Sequence, residues 1–435
     1  MSARIFIFLF IIIRLIYQGI TLTLEKRQRS KPLPAEVSGI YDADRYTKFL
    51  SRETEIDRIF YIRSAIDYLF DIVILFSPVY AFIERTAEGN VYNIILLTYF
   101  LYWLIGELTS LPYSYYRTFT IDEKYGLNRK TKKEFIKDEI ISNITGITIT
   151  LGLLLIAAFI GEHMALWTDN FTVSWKKAIL LVLGITAVIA LFFIAMMWFQ
   201  YLMLRRQYTF TPLPEGDLRS KIKDLMTGCK KKVREIYVYD ESKKTTGKNA
   251  FLLKILWHRE FGIADNFINE NAENELLAVL SHEIGHLKHK KNLLNFIEYF
   301  FTAAVIVCAI LLVHNPSPIL RINAWARSSF SLTTNNYYIL FAVFSDIFAP
   351  VQFITGIFDN YRSRKEEYEA DMQSVANRYG KDLIRTFEKM SSDELIDVNP
   401  HPLIEFLEYD HPGMYTRISY ILEKTETISA TPVNT

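Results

Sequence analysis

Long apolar stretches alternate with polar, charged stretches along the chain. Seven of the apolar stretches are about 20 residues long, which is enough to cross a bilayer as a helix. They cover residues 5–24, 64–83, 93–112, 144–160, 178–204, 294–313 and 338–358. One polar region separates the fifth stretch from the sixth, and another follows the seventh. This pattern predicts a mainly α-helical, polytopic membrane protein.

Positive charge alternates between the connecting loops. The loops 25–63 and 113–143 hold nine and seven Lys and Arg residues, whereas the loops 84–92, 161–177 and 314–337 hold one, two and two. By the positive-inside rule, the N-terminus faces the lumen or exterior and both polar regions face the cytosol. Arg14 interrupts the first apolar stretch and no small-residue cleavage site follows it, so we expect a retained helix there rather than a signal peptide.

Several predicted membrane helices carry ionisable residues. A charged side chain that faces lipid costs several kcal/mol, so such residues turn toward a bundle interior, a wet cavity or one another. The residues are Arg14, Asp67, Asp71, Glu107, Glu298 and Asp346. Their number favours a hydrated interior over a tightly packed bundle, although residues near a helix end, such as Asp67, can simply reach the membrane surface.

The first polar region combines a predicted helix with predicted strands. Residues 217–229 are helix-like, residues 233–239 alternate as a strand does, and residues 249–257 and 260–264 are typical of the two strands of a hairpin. The segment Asn249-Ala250-Phe251 is a candidate sheet edge, and such an edge can hold an extended peptide through main-chain hydrogen bonds. A hairpin with a purely structural role is the alternative.

The residues His282-Glu283-Ile284-Gly285-His286 form an H-E-x-x-H motif in a helix-like apolar stretch. Two histidines four residues apart share one face of a helix, so both imidazoles can reach the same zinc ion. Glu283 would then face the water that the metal activates, as a general base. Gly285 lies in the middle of a helix, where glycine is unfavourable, which indicates close packing or close approach of a substrate. The alternative is a surface helix that carries histidines by chance.

A carboxylate further along the chain can complete the metal site. Residues 362–371 look helical, and Glu367 and Asp371 are four apart on one face. A glutamate beside two histidines makes a zinc site of the thermolysin type, and an aspartate nearby can accept the free N–H of a zinc-bound histidine. Spacing alone does not choose Glu367 over Glu366, and a solvated run of charges is the alternative reading of the segment.

Charge and cysteine content narrow the function classes. The chain has 49 Lys and Arg residues against 48 Asp and Glu, a net charge of +1, so its composition gives no sign of nucleic-acid binding. Two cysteines, Cys229 and Cys308, are too few and too differently placed for a disulfide framework.

Together these motifs resemble the type I CaaX prenyl proteases, which are integral-membrane zinc metalloproteases of the endoplasmic reticulum and inner nuclear membrane. The resemblance covers nearly the whole chain. The matching segments are Leu111–Asn128, Phe210–Leu213, Lys248–Phe251, the H-E-x-x-H motif, Glu367–Asp371 in the pattern Glu-x-x-Ala-Asp, and His411-Pro412 with Arg417.

The resemblance implies a role for each matched residue. His282, His286 and Glu367 would bind one Zn²⁺ per chain, with Asp371 behind them. Glu283 and His411 would be catalytic, the second by stabilising the oxyanion. Asn249, Ala250 and Arg417 would contact the substrate.

The resemblance also implies an architecture, a substrate and a location. Seven transmembrane helices would form a barrel around a hydrated chamber, capped by a zinc metalloprotease domain with a small β-hairpin or sheet. The substrates would be farnesylated or geranylgeranylated CaaX proteins, which lose the three residues after the prenylated cysteine. The enzyme would lie in the membrane of the endoplasmic reticulum, or in the inner nuclear membrane.

We expect four parts in the chain: helices one to five in residues 1–204, a cytosolic protease domain in 205–293, helices six and seven in 294–358, and C-terminal cytosolic helices in 359–435.

Three other functions remain as alternatives. A quality-control protease of the HtpX type shares the zinc motifs but lacks the extra N-terminal helices and the 111–128 signature. A membrane chaperone without catalysis would not need the complete zinc set. A transporter is disfavoured because the two halves of the chain show no repeat.

Overall fold

A computed structural model describes residues 2–163, 175–228, 234–255, 258–288, 300–301, 304, 325, 327–333 and 337–430. The predicted membrane helix 294–313 lies outside the described residues, apart from positions 300–301 and 304.

The N-terminal half is helical. Its helices are α1 (Ala3–Arg29), α2 (Ala43–Phe76), α3 (Val79–Thr86), α4 (Val91–Tyr116), α5 (Lys132–His163) and α6 (Trp175–Gln207). Four segments within the described residues are long and apolar enough to cross a membrane: 3–29, 91–122, 132–156 and 182–207. The pair α2 and α3, bent by 63° at their junction, brings the number to five if it counts as one span. The prediction of several membrane-capable helices is confirmed.

The structure corrects the predicted loop 25–63. Helix α2 begins at Ala43, about twenty residues before the apolar stretch that was expected to start at 64. Asp42 caps this helix, because its side chain accepts a hydrogen bond from the backbone N–H of Arg45 (2.7 Å). The first part of α2 is rich in charged residues, so hydropathy gives no sign of it.

The C-terminal half combines a small sheet with helices. After β1 (Phe210–Pro212) come α7 (Asp217–Gly228), β2 (Glu235–Tyr239), β3 (Ala250–Ile255), β4 (His258–Ala264), α8 (Asp265–Glu270) and α9 (Glu273–Gly285). Among the described residues, four further helices are α10 (Tyr337–Ala376), α11 (Gly380–Glu394), α12 (Pro402–Glu408) and α13 (Met414–Ala430). The predicted membrane segment 338–358 is the first part of the 40-residue helix α10.

The four strands form one mixed sheet in the order β1-β2-β4-β3. Strands β3 and β4 make the predicted antiparallel hairpin, β2 runs parallel to β4, and β1 pairs antiparallel with β2. Strand β3 therefore lies at an edge of the sheet. Strand β1 was not predicted from the sequence, because Pro212 lies within it and proline is typical of turns.

Two buried clusters hold the C-terminal half together. The first packs the sheet on α9, with Phe261, Ile263, Leu280 and Ile284 at its centre. The second joins residues 37–49 of the N-terminal half to α9, α11 and α13. Residues just after α1 thus belong to the core that supports α9.

Arg29 links the same parts by charge. Its Nε lies 3.0 Å from Asp397 Oδ2, its Nη1 3.0 Å from Asp57 Oδ2, and its Nη2 3.1 Å from Glu53 Oε2. The Arg29 side chain is only 14% exposed, so solvent screens these contacts weakly. One guanidinium therefore ties the end of α1 to α2 and to the segment after α11.

Replacing Arg29 with glutamine should weaken this connection. The change leaves three partly buried carboxylates without their shared cation, which we expect to cost about 2 kcal/mol, somewhat less than the loss of one partner from a fully buried pair. The midpoint of thermal unfolding in detergent should fall by a few degrees.

Arg385→Gln is the matched control, because Arg385 is an exposed residue that pairs with Asp382 within one helix (3.3 Å). It should leave the midpoint almost unchanged. If the two variants unfold at the same temperature, the Arg29 contacts do not stabilise the protein.

Candidate metal centre

Helices α9 and α10 bring three potential metal ligands together. His282 and His286 lie one turn apart at the end of α9, and Glu367 lies on the facing side of α10. One ligand atom from each of the three lies within 4.8 Å of the others.

The distances within this group suit a zinc ion. His282 Nε2 lies 3.4 Å from Glu367 Oε2, and His286 Nε2 lies 3.2 Å from Glu367 Oε1. Two ligands bound at about 2.0–2.1 Å with a tetrahedral angle between them are themselves about 3.4 Å apart. The two imidazole rings stand at 89° to each other, with their centres 4.9 Å apart. Two imidazoles and a carboxylate leave a fourth position open, as in catalytic zinc sites.

Asp371 and Arg417 form a buried layer behind His282. Asp371 Oδ1 lies 2.9 Å from His282 Nδ1, and Arg417 donates to both carboxylate oxygens of Asp371 (Nη2 to Oδ1 2.6 Å, Nε to Oδ2 3.0 Å). An ionised carboxylate can only accept hydrogen bonds, so Asp371 accepts one from the N–H at Nδ1 of His282. Nε2 of His282 then carries the lone pair that can bind a metal ion.

Charge at this layer sets the protonation of the site. Burial opposes the ionised form of Asp371, but Arg417 and His282 hold the pKa of this carboxyl below its usual range. Burial likewise disfavours a charged His282, yet its hydrogen bonds to Asp371 and Glu367 raise the pKa of His282 to about 9. A metal ion that binds here therefore displaces a proton from His282.

Close packing of α9 on α10 makes the convergence possible. A Cβ atom added to Gly285 would lie 2.6 Å from the Cα of Ala370, much closer than atoms approach in proteins. The Ser374 hydroxyl on α10 donates to the Ala278 carbonyl on α9 (2.6 Å) and fixes the helices one against the other. The sequence-based interpretation that Gly285 marks close packing is confirmed.

Glu283 faces the edge strand of the sheet. The backbone N–H of Leu252 in β3 donates to Glu283 Oε2 (3.3 Å). The N–H of Ala264 donates to the carbonyl of Asn249 (2.9 Å), so the alternation of an antiparallel ladder turns the main-chain groups of Ala250 and Leu252 away from β4. Glu283 thus lies beside the outer edge of β3, which pairs with no further strand among the described residues. Nothing in the sequence singled out Leu252, because this contact depends on how the sheet sits on α9.

The structure also brings His411 to the site. His411 Nε2 lies 3.4 Å from Glu367 Oε1, while its Nδ1 lies 2.9 Å from Asp410 Oδ1. The imidazole is more than half exposed, so it lies at the open side of the metal group. Arg417, which the sequence analysis expects to contact substrate, is instead buried against Asp371, with its guanidinium 4.3 Å from the centre of the Phe387 ring.

Comparison with known families matches both halves of the chain. The family profile described as "CAAX prenyl protease N-terminal, five membrane helices" matches residues 23–200, and the profile of peptidase family M48 matches residues 212–425. Among the described residues, four membrane-capable segments lie wholly or mainly within 23–200, with the bent pair α2 and α3 counted as one.

Individual relatives point the same way. The chain is 26% identical over 408 residues to the CAAX prenyl protease 1 homolog of Arabidopsis thaliana. The alignment covers 89% of this chain and 90% of that protein. It is 29% identical over 324 residues to the probable CAAX prenyl protease 1 of Schizosaccharomyces pombe, covering 73% and 63%. The crystal structure of S. mikatae Ste24p superposes with a TM-score of 0.82 at 21% identity, over 97% of this chain and 99% of that one, so the two share a fold.

The close approach at Gly285 leads to a test of metal binding. In Gly285→Ala the added methyl group collides with the backbone of α10 and pushes Glu367 away from the histidines. Overpacking of this kind costs about 1–3 kcal/mol. If that cost falls on the metal-binding geometry, zinc affinity should drop by roughly 10- to 100-fold, as measured by competition with a fluorescent chelator.

Gly216→Ala is the matched control, because nothing lies within 4 Å of a Cβ added there. It should bind zinc as the unmodified protein does. Unchanged zinc affinity in Gly285→Ala would mean that the helix contact does not set the geometry of the site.

Proposed function

The chain belongs to the type I CaaX prenyl protease family, and from that premise we propose how it cleaves its substrate and with which residues. It is a zinc metalloprotease that processes CaaX proteins at a membrane. The observation that carries the mechanism is the juxtaposition of the His282, His286 and Glu367 group with Glu283 beside the outer edge of β3. An HtpX-type protease is less favoured, because the N-terminal 23–200 region matches the prenyl protease profile.

Strand β3 is the proposed binding edge for the substrate. The outward main-chain groups of Ala250 and Leu252 can pair with an extended peptide, and Asn249 begins this edge. A substrate laid there would pass Glu283 and reach the metal group, because Leu252 and Glu283 are already in contact (3.3 Å). The peptide then takes over main-chain bonding at the edge and leaves Glu283 available for proton transfer.

Glu283 is the proposed general base and acid. A zinc ion bound by His282, His286 and Glu367 supplies Lewis-acid activation of water and of the scissile carbonyl. Glu283 accepts the proton of the attacking water and returns it to the leaving amine. Glu283 is half-buried and lies beside the strand edge on which the substrate would bind.

The other site residues have supporting roles in this proposal. Asp371 holds His282 in the tautomer that leaves Nε2 free, and Arg417 holds Asp371 ionised. We propose that the exposed imidazole of His411, 3.4 Å from Glu367, stabilises the oxyanion that forms on the scissile carbonyl. The predicted contact of Arg417 with substrate remains a prediction; its burial favours the role behind Asp371.

We also propose the architecture and setting expected from the sequence. Seven helices would enclose a hydrated chamber, which the shared fold and the ionisable residues in the membrane segments support. The enzyme would lie in the membrane of the endoplasmic reticulum or in the inner nuclear membrane. Its active site would face the cytosol and its N-terminus would face the lumen. A farnesyl or geranylgeranyl chain concentrates the substrate there, because each buried CH₂ contributes about 0.8 kcal/mol.

The substrate class is tested with two peptides that differ only in the lipid. Purified protein should release the C-terminal tripeptide from a farnesylated CaaX peptide and should leave the unmodified peptide largely intact, as followed by mass spectrometry. Addition of a chelator should stop the reaction, and added zinc should restore it. Equal cleavage of both peptides would favour a quality-control protease instead.

Glu283→Gln tests the general base. The substitution keeps the shape of the side chain but removes its basicity, so the cleavage rate should fall by about 10²–10⁴-fold, with zinc content unchanged by elemental analysis. The control is Glu369→Gln, which changes an exposed glutamate two residues beyond Glu367 and should cleave normally. Near-normal turnover by a zinc-loaded Glu283→Gln protein would overturn the assignment.

A further inference from the structure

A polar cavity of about 580 Å³ lies away from the metal centre, between the start of α5, the end of α6 and the sheet. The residues that line it come from α5 (Glu134, Lys137, Asp138), from the end of α6 and the chain into β1 (Arg205, Arg206, Gln207, Tyr208, Thr209, Phe210), and from the turn after β2 (Asp240, Lys243, Lys244). Nothing in the proposed mechanism uses this cavity.

Positive charge predominates in the wall, with five cationic side chains against three carboxylates. Two carboxylates already have cationic partners. Asp138 pairs with Lys130 (2.9 Å) and Lys244 (3.0 Å), and Asp240 pairs with Lys243 (2.6 Å). The third, Glu134, accepts hydrogen bonds from the backbone N–H (2.9 Å) and the hydroxyl (2.8 Å) of Thr131 at the start of α5. Each carboxylate of the wall therefore already has an ion-pair or hydrogen-bond partner within the protein.

Two cations in the same wall have no carboxylate partner among the described residues. Lys137 Nζ donates to the backbone carbonyl of Arg206 (3.1 Å), and both residues line the cavity. An ammonium has three N–H donors and a guanidinium has five, so both residues keep donors for a ligand. Arg205, by contrast, is engaged by Glu260 (2.8 Å).

The cavity lies where the membrane surface is expected. Residues 132–156 and 182–207 are membrane-capable, and the cavity opens at the first residues of one and the last residues of the other. Basic pockets between membrane helices on the cytoplasmic side are typical binding sites for anionic lipid headgroups. Phosphate also prefers guanidinium and ammonium donors in close proximity.

We propose that this cavity binds a phosphomonoester group, held by Lys137 and Arg206. Such a group is found in the headgroup of a phospholipid such as phosphatidic acid and in soluble phosphate esters. The charge of the dianion matches that of Lys137 and Arg206, which have no carboxylate partner among the described residues. This site is distinct from the metal centre, and its occupancy does not depend on the proposed function.

The test measures lipid adducts of the full-length protein in detergent by native mass spectrometry. Phosphatidic acid should bind in preference to phosphatidylcholine. The double variant Lys137→Gln/Arg206→Gln should bind phosphatidic acid about 20- to 30-fold more weakly, as expected from the loss of two basic residues at a membrane surface. Glycerol 3-phosphate is added as a soluble competitor of phosphatidic acid. If it displaces phosphatidic acid at similar concentrations, the natural ligand is a free phosphate ester. If it does not, the natural ligand is the lipid.

The control Lys133→Gln/Lys381→Gln removes the same charge from two exposed lysines outside the cavity and should bind phosphatidic acid normally. Both double variants should keep normal zinc content and normal peptide cleavage in detergent, which shows that they are folded. Equal binding of phosphatidic acid by the two double variants, or no preference over phosphatidylcholine in the unmodified protein, would overturn the proposal.

Discussion

The contact between Gly285 and Ala370 sets the separation of α9 and α10, and the metal group depends on that separation. Glycine at this point lets backbone meet backbone, so a histidine pair on one helix and a glutamate on the other converge to 3.2–3.4 Å. The sheet packs on the opposite side of α9 and carries β3 to Glu283. The proposed catalytic, substrate-binding and metal-ligating groups thus take their positions from one helix, which packs between the sheet and α10.

Charge balance at this helix pair favours a bound cation. The pKa values of the buried carboxyl groups of Glu367 and Asp371 are held below their usual range, and the guanidinium of Arg417 offsets only one of the two negative charges. Without the ion, His282 takes up a proton readily, which fits its raised pKa of about 9. Both hydrogen bonds of the Arg417 guanidinium to Asp371 hold the carboxylate that orients His282. Removal of Arg417 should therefore change the position of His282 first, and substrate binding only as a consequence.

Much of this arrangement could be predicted from the chain because it follows from local periodicity. The i and i+4 spacing of His282 and His286, the hairpin of β3 and β4, and the apolar blocks all depend on residues close in sequence. Contacts that depend on tertiary packing could not be predicted. The bond from Leu252 to Glu283 requires the sheet to sit on α9, and the burial of Arg417 requires α13 to pack behind α10. The polar start of α2 was missed because hydropathy reports burial in lipid, not helicity.

The most direct test of the account is X-ray absorption spectroscopy at the zinc edge of the purified protein, compared with Glu367→Gln. The account predicts one zinc per chain with two imidazole nitrogens at about 2.0–2.1 Å and light oxygen ligands at similar distances. In the variant, the two-histidine signal should persist with weaker zinc retention and an altered oxygen shell. An oxygen shell and a zinc affinity that do not change on substitution of Glu367, or a spectrum with a single histidine, would contradict the convergence of α9 and α10 on one metal ion.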